Sequence, residues 1–149
     1  MLIPFAKAGA VILLLVSGCS ESPSHRRYAA IAAKINPVIV ELRPLATWML
    51  APPSRSDAEV AARCKSEDHV IDQLADVDAP SGVISIGKAV FLLQQDRKAS
   101  CLTSTDDWAT TRCATFCRWE WRYLAERVNL LAKQAREAGV TINTLYEFQ

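Results

Sequence analysis

The sequence predicts an all-α fold, an antiparallel bundle of about four helices stapled by disulfides, with the first helix kinked at prolines. Three observations carry that expectation. Apolar residues recur at helical spacing in four separate stretches. Start and stop signals bracket those stretches, among them Ser56-Asp57-Ala58-Glu59 and Gly139. Four cysteines, Cys64, Cys101, Cys113 and Cys117, fall on or beside the periodic segments. Four amphipathic helices with short connections bury their stripes most simply as a bundle.

The first twenty residues are a separate matter. A single cation at Lys7, an apolar run from Ala8 to Val16 and the small residues Ser17 and Gly18 stand directly before Cys19. The run is far shorter than the roughly 20 residues a spanning helix needs, which argues against a permanent transmembrane anchor. Val16-Ser17-Gly18-Cys19 resembles the lipobox of bacterial lipoprotein precursors, and the resemblance covers residues 1–20 only. It implies a signal peptide over 1–18, cleavage before Cys19, and a covalent diacylglycerol and N-acyl chain on that cysteine. The competing reading is an ordinary signal peptide cut nearby, with Cys19 a stray thiol. By the same resemblance, Ser20 after the cysteine implies the outer membrane, facing the periplasm in a Gram-negative envelope. Several acyl chains on one residue give the stable anchorage a single chain lacks. Residues 19–27, polar and small, read as a tether, and 28–149 as one helical domain.

Loss of residues 1–18 leaves 131 of the 149 residues, a size for one domain whose core gains from covalent staples. Lys7 leaves with the signal, so the remaining chain carries 16 basic and 16 acidic residues and is formally neutral. That balance argues against nucleic acid as a partner.

In the first helix, Tyr28, Ile31, Ile35, Val38, Leu42, Leu45 and Met49 form an apolar seam. Pro37 and Pro44 interrupt it chemically without shifting its phase, so the segment is one kinked helix or two coaxial pieces ending at Pro52-Pro53. The second helix opens at the Ser56–Glu59 capping box and carries Val60, Cys64, Ile71 and Leu74 before turn residues at 76–82. A third runs over about 81–100 with Val83, Ile86, Val90 and Leu93 on one face; a strand at 83–86 is its alternative. Ser104, Thr105 and Asp106 offer caps for the longest helix, about 106–138, with a seam of Cys117, Trp121, Leu124, Val128, Leu131 and Ala135. The tail, with Ile142, Leu145, Tyr146 and Phe148, is apolar enough to dock.

An even cysteine count in an exported chain implies two disulfides, and three pairings are possible. Cys113 and Cys117, one turn apart, face the same way and reach different elements; Cys101–Cys113 with Cys64–Cys117 is the favoured pairing. The rival chemistry is a thiol site binding copper or zinc, Cys113 and Cys117 sharing the metal with Cys64 or Cys101. No histidine stands at ligand spacing beside them, and the disulfide reading, without metal or other cofactor, is preferred. His25 in the tether and His69 beside Asp68 and Asp72 read as solvated surface residues. Asp106 and Asp107 read as helix-start charges.

A second stripe on the last helix, Phe116, Trp119, Tyr123 and Leu130, lies about 130° from the seam, with Arg118, Arg122, Lys133 and Arg136 between the two. The plain account has this helix packed against two neighbours, its basic stems covering a flank. The sharper account makes Arg118, Trp119, Arg122 and Tyr123 a docking surface, since Trp, Tyr and Arg are common interface anchors. No Gly-rich phosphate loop, nucleophile elbow or zinc-protease pattern is present, so the expectation is no enzyme. It is instead a binding or scaffolding protein, held by membrane lipid and meeting an envelope protein. The alternatives are the thiol/metal protein and, more remotely, an inhibitor of a hydrolase.

Overall fold

A computed structural model describes residues 21–66 and 106–148, together with Leu74, Ile86, Gly87, Val90, Gln94, Gln95, Ala99 and Cys101 between them. The proposed signal peptide and Cys19 lie outside the described residues, as do His69, Asp68, Asp72, Ile71, Val83, Leu93 and the 76–82 turn. The architecture is all-helical, with no strand among the described residues. Helix α1 spans Pro23–Leu50, α2 Asp57–Ser66 and α3 Asp107–Glu137. Ile86, Gly87, Val90, Gln94, Gln95, Ala99 and Cys101 are also helical, which disposes of a strand reaching Ile86.

Helix α1 starts inside the stretch read as tether. Ser22 is its N-cap, the hydroxyl accepting from the His25 amide at 3.1 Å, and Pro23 takes the first helical positions. A proline there costs no hydrogen bond, because the first turn's amides have no carbonyl to meet. His25 is accordingly not a free tether residue: it is half-buried, its Nδ1 3.0 Å from the Ala138 carbonyl. The helix continues unbroken through Pro37 and Pro44, both on its exposed side. Each interior proline costs about 3 kcal/mol in an isolated helix, so packing of the opposite face holds this one together. That face is Ile31, Ala32, Ile35, Ile39, Leu42, Ala46 and Met49. The predicted seam is thus shifted in its second half: Ile39 and Ala46 are fully buried, whereas Val38 and Leu45 are only partly so.

The turn between α1 and α2 contains a cis Pro52–Pro53 bond. It delivers Ser56 to a complete capping box: Glu59 Oε2 accepts from the Ser56 amide (2.9 Å) and hydroxyl (2.6 Å), and Ser56 Oγ accepts from the Glu59 amide (3.3 Å). Val60, Ala61 and Cys64 are the buried face of α2. Trp48, near the end of α1, is met by the guanidiniums of Arg55 (5.5 Å) and Arg63 (4.6 Å), and the Arg63 contact ties α2 to α1.

Helix α3 is the element on which both others pack. Asp106 caps it, Oδ1 accepting from the Ala109 amide at 2.6 Å. Every residue of the predicted seam is buried, joined by Ala109, Cys113, Ala114, Ala125 and Ala132. The helix ends at Gly139, whose φ of +75° is the left-handed conformation glycine adopts without strain. The Gly139 amide donates to Arg136 O (3.0 Å) and the Val140 amide to Ala135 O (2.9 Å), the paired bonds of a Schellman stop. The tail then turns back onto the helices: Val140, Ile142 and Leu145 are buried, Tyr146 is half-buried and Phe148 exposed.

Candidate functional site

The side of α3 turned away from its buried seam carries a row of aromatic rings. Trp108 (69% exposed), Phe116 and Trp119 (51%) recur at intervals that keep them on one face, with Thr111, Arg112 and Thr115 among them. Together these six line a shallow, mostly apolar depression of about 500 Å³. Phe116 meets Trp119 at 5.8 Å between centroids, and Trp119 stacks on Tyr123 at 5.5 Å. Two guanidiniums cap the ends of the row, Arg112 over Trp108 at 5.0 Å and Arg127 over Tyr123 at 4.8 Å. Large rings this exposed on a helix whose other side is packed are the uncommon case, since burial of a ring is favourable by several kcal/mol in round terms (~25 cal/mol per Å²).

The four residues singled out from sequence do not stay together. Trp119 and Tyr123 share the aromatic row, Tyr123 half-buried at its lower end. Arg118 turns the other way and clamps the start of α2: Nη1 donates to Asp57 Oδ1 at 2.8 Å and Nη2 to the Arg55 carbonyl at 2.7 Å. Its role is structural, because consecutive helical residues point about 100° apart. The guanidinium of Arg118 and, next, the Thr111 hydroxyl hydrogen-bond the Asp57 carboxylate and hold its pKa below the usual carboxylate value. Arg122 pairs with Glu126 at 3.1 Å on an exposed flank and lies 5.5 Å from the centre of the Phe148 ring. Sequence reasoning missed Trp108, Arg112 and Arg127. The signal was present: Trp108, Thr115 or Phe116, and Trp119 extend the second stripe toward the helix start at spacings of seven or eight, then three or four.

A second cluster lies inside the core. Cys64 of α2 is bonded to Cys117 of α3, and Cys101 to Cys113. The Sγ atoms of Cys64, Cys101 and Cys113 lie within 4.8 Å of one another, and the donor atoms of Cys64, Cys117 and Glu120 do likewise. All five residues are buried, Glu120 completely. Glu120 also escaped the sequence reading, its position on α3 being legible only as three residues beyond Cys117 and one before Trp121.

Among the described residues no helix is long and apolar enough to cross a membrane. Comparison with protein-family models, with curated proteins and with solved structures returns no match to this chain.

Proposed function

We propose that this chain is a lipid-anchored bacterial envelope protein that acts by binding another envelope protein through the Trp108–Phe116–Trp119 face of α3. The observation that carries the reading is that face: three large rings on one side of a helix whose opposite side is buried from Ala109 to Ala135. The anchor in this reading is Cys19, supported by the order of cation, apolar run, small pair and cysteine in residues 7–19. The body is an antiparallel four-helix bundle. Support comes from the contacts of His25 and Tyr28, early in α1, with Ala138 and Gln134 at the far end of α3, and from the helical residues between 86 and 101 as the fourth member.

Trp108→Ala with Trp119→Ala tests the surface. Both rings are exposed, so the double variant is expected to unfold within about 1 kcal/mol of the parent while losing crosslinking from a photoreactive residue at Thr115 to a protein of the envelope. Loss of stability without loss of crosslinking would show that the rings serve the fold. The anchor is tested separately by the intact mass of membrane-extracted protein alkylated without reduction: acylated Cys19 and no alkylation are expected, and an unacylated chain would remove the anchor.

A further inference from the structure

We propose that the buried sulfur cluster is also a metal site: when a dithiol reductant opens both disulfides, Cys64, Cys101, Cys113 and Cys117 take one thiophilic d¹⁰ cation, zinc(II), in place of the two covalent bonds. The core then has two alternative staples at one locus, and the redox state of its surroundings selects between them.

The geometry points to this because the two disulfides are neighbours rather than separate staples. Cys64 belongs to both donor groups: its sulfur lies within 4.8 Å of the Cys101 and Cys113 sulfurs and is bonded to that of Cys117. Zinc–sulfur bonds of about 2.3 Å place tetrahedral sulfurs about 3.8 Å apart, a spacing open to the Cys64, Cys101 and Cys113 sulfurs, which already lie within 4.8 Å of one another, and to the Cys117 sulfur once its bond to Cys64 opens. Cys113 and Cys117 are one turn apart on α3, Cys64 comes from α2 and Cys101 from the helical backbone before α3. One ion would therefore cross-link the same elements that the disulfides join. Zinc has no geometric preference of its own from d electrons, so the protein's arrangement sets the site. Thiolates outcompete the nearby Glu120 carboxylate for such an ion.

The chemistry balances. Each disulfide accepts two electrons and two protons from one dithiol, which closes into its own disulfide, and the four protein thiols release up to four protons as four zinc–sulfur bonds form. Affinity therefore rises with pH, since zinc competes with protons for each sulfur.

The test uses the full chain, reduced with dithiothreitol and desalted without oxygen, then titrated with cobalt(II) as a spectroscopic stand-in. Sulfur-to-cobalt charge-transfer absorption and the red-region bands of a tetrahedral ion are expected to saturate at one metal per chain, and zinc(II) is expected to bleach them. Adding zinc to the reduced chain is expected to restore helical circular dichroism and a cooperative thermal transition. Cys64→Ser, which removes the shared sulfur, is expected to abolish the tetrahedral bands. Three results would each overturn the proposal: no charge-transfer band, bands that persist in concentrated guanidinium, or bands unchanged by Cys64→Ser. A reduced chain that binds metal without regaining helicity would overturn it as well.

Discussion

The two halves of α3 are held by different kinds of bond. Its N-terminal half is fixed covalently, by Cys113 to Cys101 and by Cys117 to α2, with the Arg118–Asp57 pair beside them. Its C-terminal end is tied through the tail that follows it, whose backbone groups are satisfied by side chains of α1 and of α3 itself. Asn36 of α1 donates to Thr141 O (3.2 Å) and accepts from the Asn143 amide (2.8 Å). Arg43 donates to Thr144 O at 2.8 Å, and Asn129 bridges the Tyr146 carbonyl (2.7 Å) and the Leu145 amide (3.3 Å). An irregular tail has no ladder of its own, so side chains take the place of backbone partners along it. In the covalent half, Val60, Ala61 and Cys64 of α2 pack against α3 beside the Cys64–Cys117 bond. Disulfides stand where the short α2 and the backbone at Cys101 meet α3, and amide and guanidinium side chains where the backbone is irregular.

The comparison can be broken from either side. The largest effect is expected for Cys64→Ala with Cys117→Ala: the bond closes a loop of sequence separation 53, about 4 kcal/mol in chain-entropy terms. Removing Cys101 and Cys113, with separation 12, is expected to cost about 3 kcal/mol, and urea midpoints rank the two. Asn36→Ala removes one exposed and one part-buried hydrogen bond to the tail and should cost up to about 1.5 kcal/mol. Hydrogen exchange would then show early opening at 141–146 with α2 protection intact; equal loosening of α2 would erase the distinction between the halves. Ser56→Ala removes one side of the capping box, for about 1 kcal/mol, read as fraying of α2 alone. The smallest effect is acid dependence. Asp57, through Arg118 and Thr111, and Glu59, through the Ser56 hydroxyl and amide, are both held below their ordinary pKa. Each carboxylate's contribution is complete above the ordinary carboxylate range and is lost as pH falls through its lowered folded value. Arg118→Gln should flatten the Asp57 part of that acid limb, and an unchanged acid titration would remove the clamp from the account.

Legibility from sequence follows how local the deciding contact is. The α3 seam reads off the sequence because a long helix of regular period keeps Cys117, Trp121, Leu124, Val128, Leu131 and Ala135 in phase over about five turns. In α1 the same rule is degenerate: Val38 and Ile39, and again Leu45 and Ala46, are adjacent apolar residues, and only the neighbouring helix decides which is inside. Alanines such as Ala32, Ala114 and Ala132 carry almost no hydropathy signal, yet they let helices approach. Ser22-Pro23 is itself a helix-start signal, masked by its resemblance to a tether. The pairing of Arg118 with Asp57 spans 61 positions, and no local pattern contains it. On the candidate face, Trp119 and Tyr123 are legible from the stripe, whereas Arg118, placed between the two stripes, turns to Asp57 of α2, a partner that helical position alone does not reveal.

The early start of α1 fixes a distance. If Cys19 carries the acyl chains, only Ser20, Glu21 and Ser22 separate it from the first helical residue, Pro23, a reach of about 14 Å at full extension. The first turn of α1 would then sit at the headgroups, and with it the end of α3, since His25 touches Ala138. At 1.5 Å per residue, Trp119 stands about 28 Å and Trp108 about 45 Å along α3 from that end. Standing upright, the helix would act as a mast, with its foot on lipid and its tryptophans held a few nanometres off the membrane.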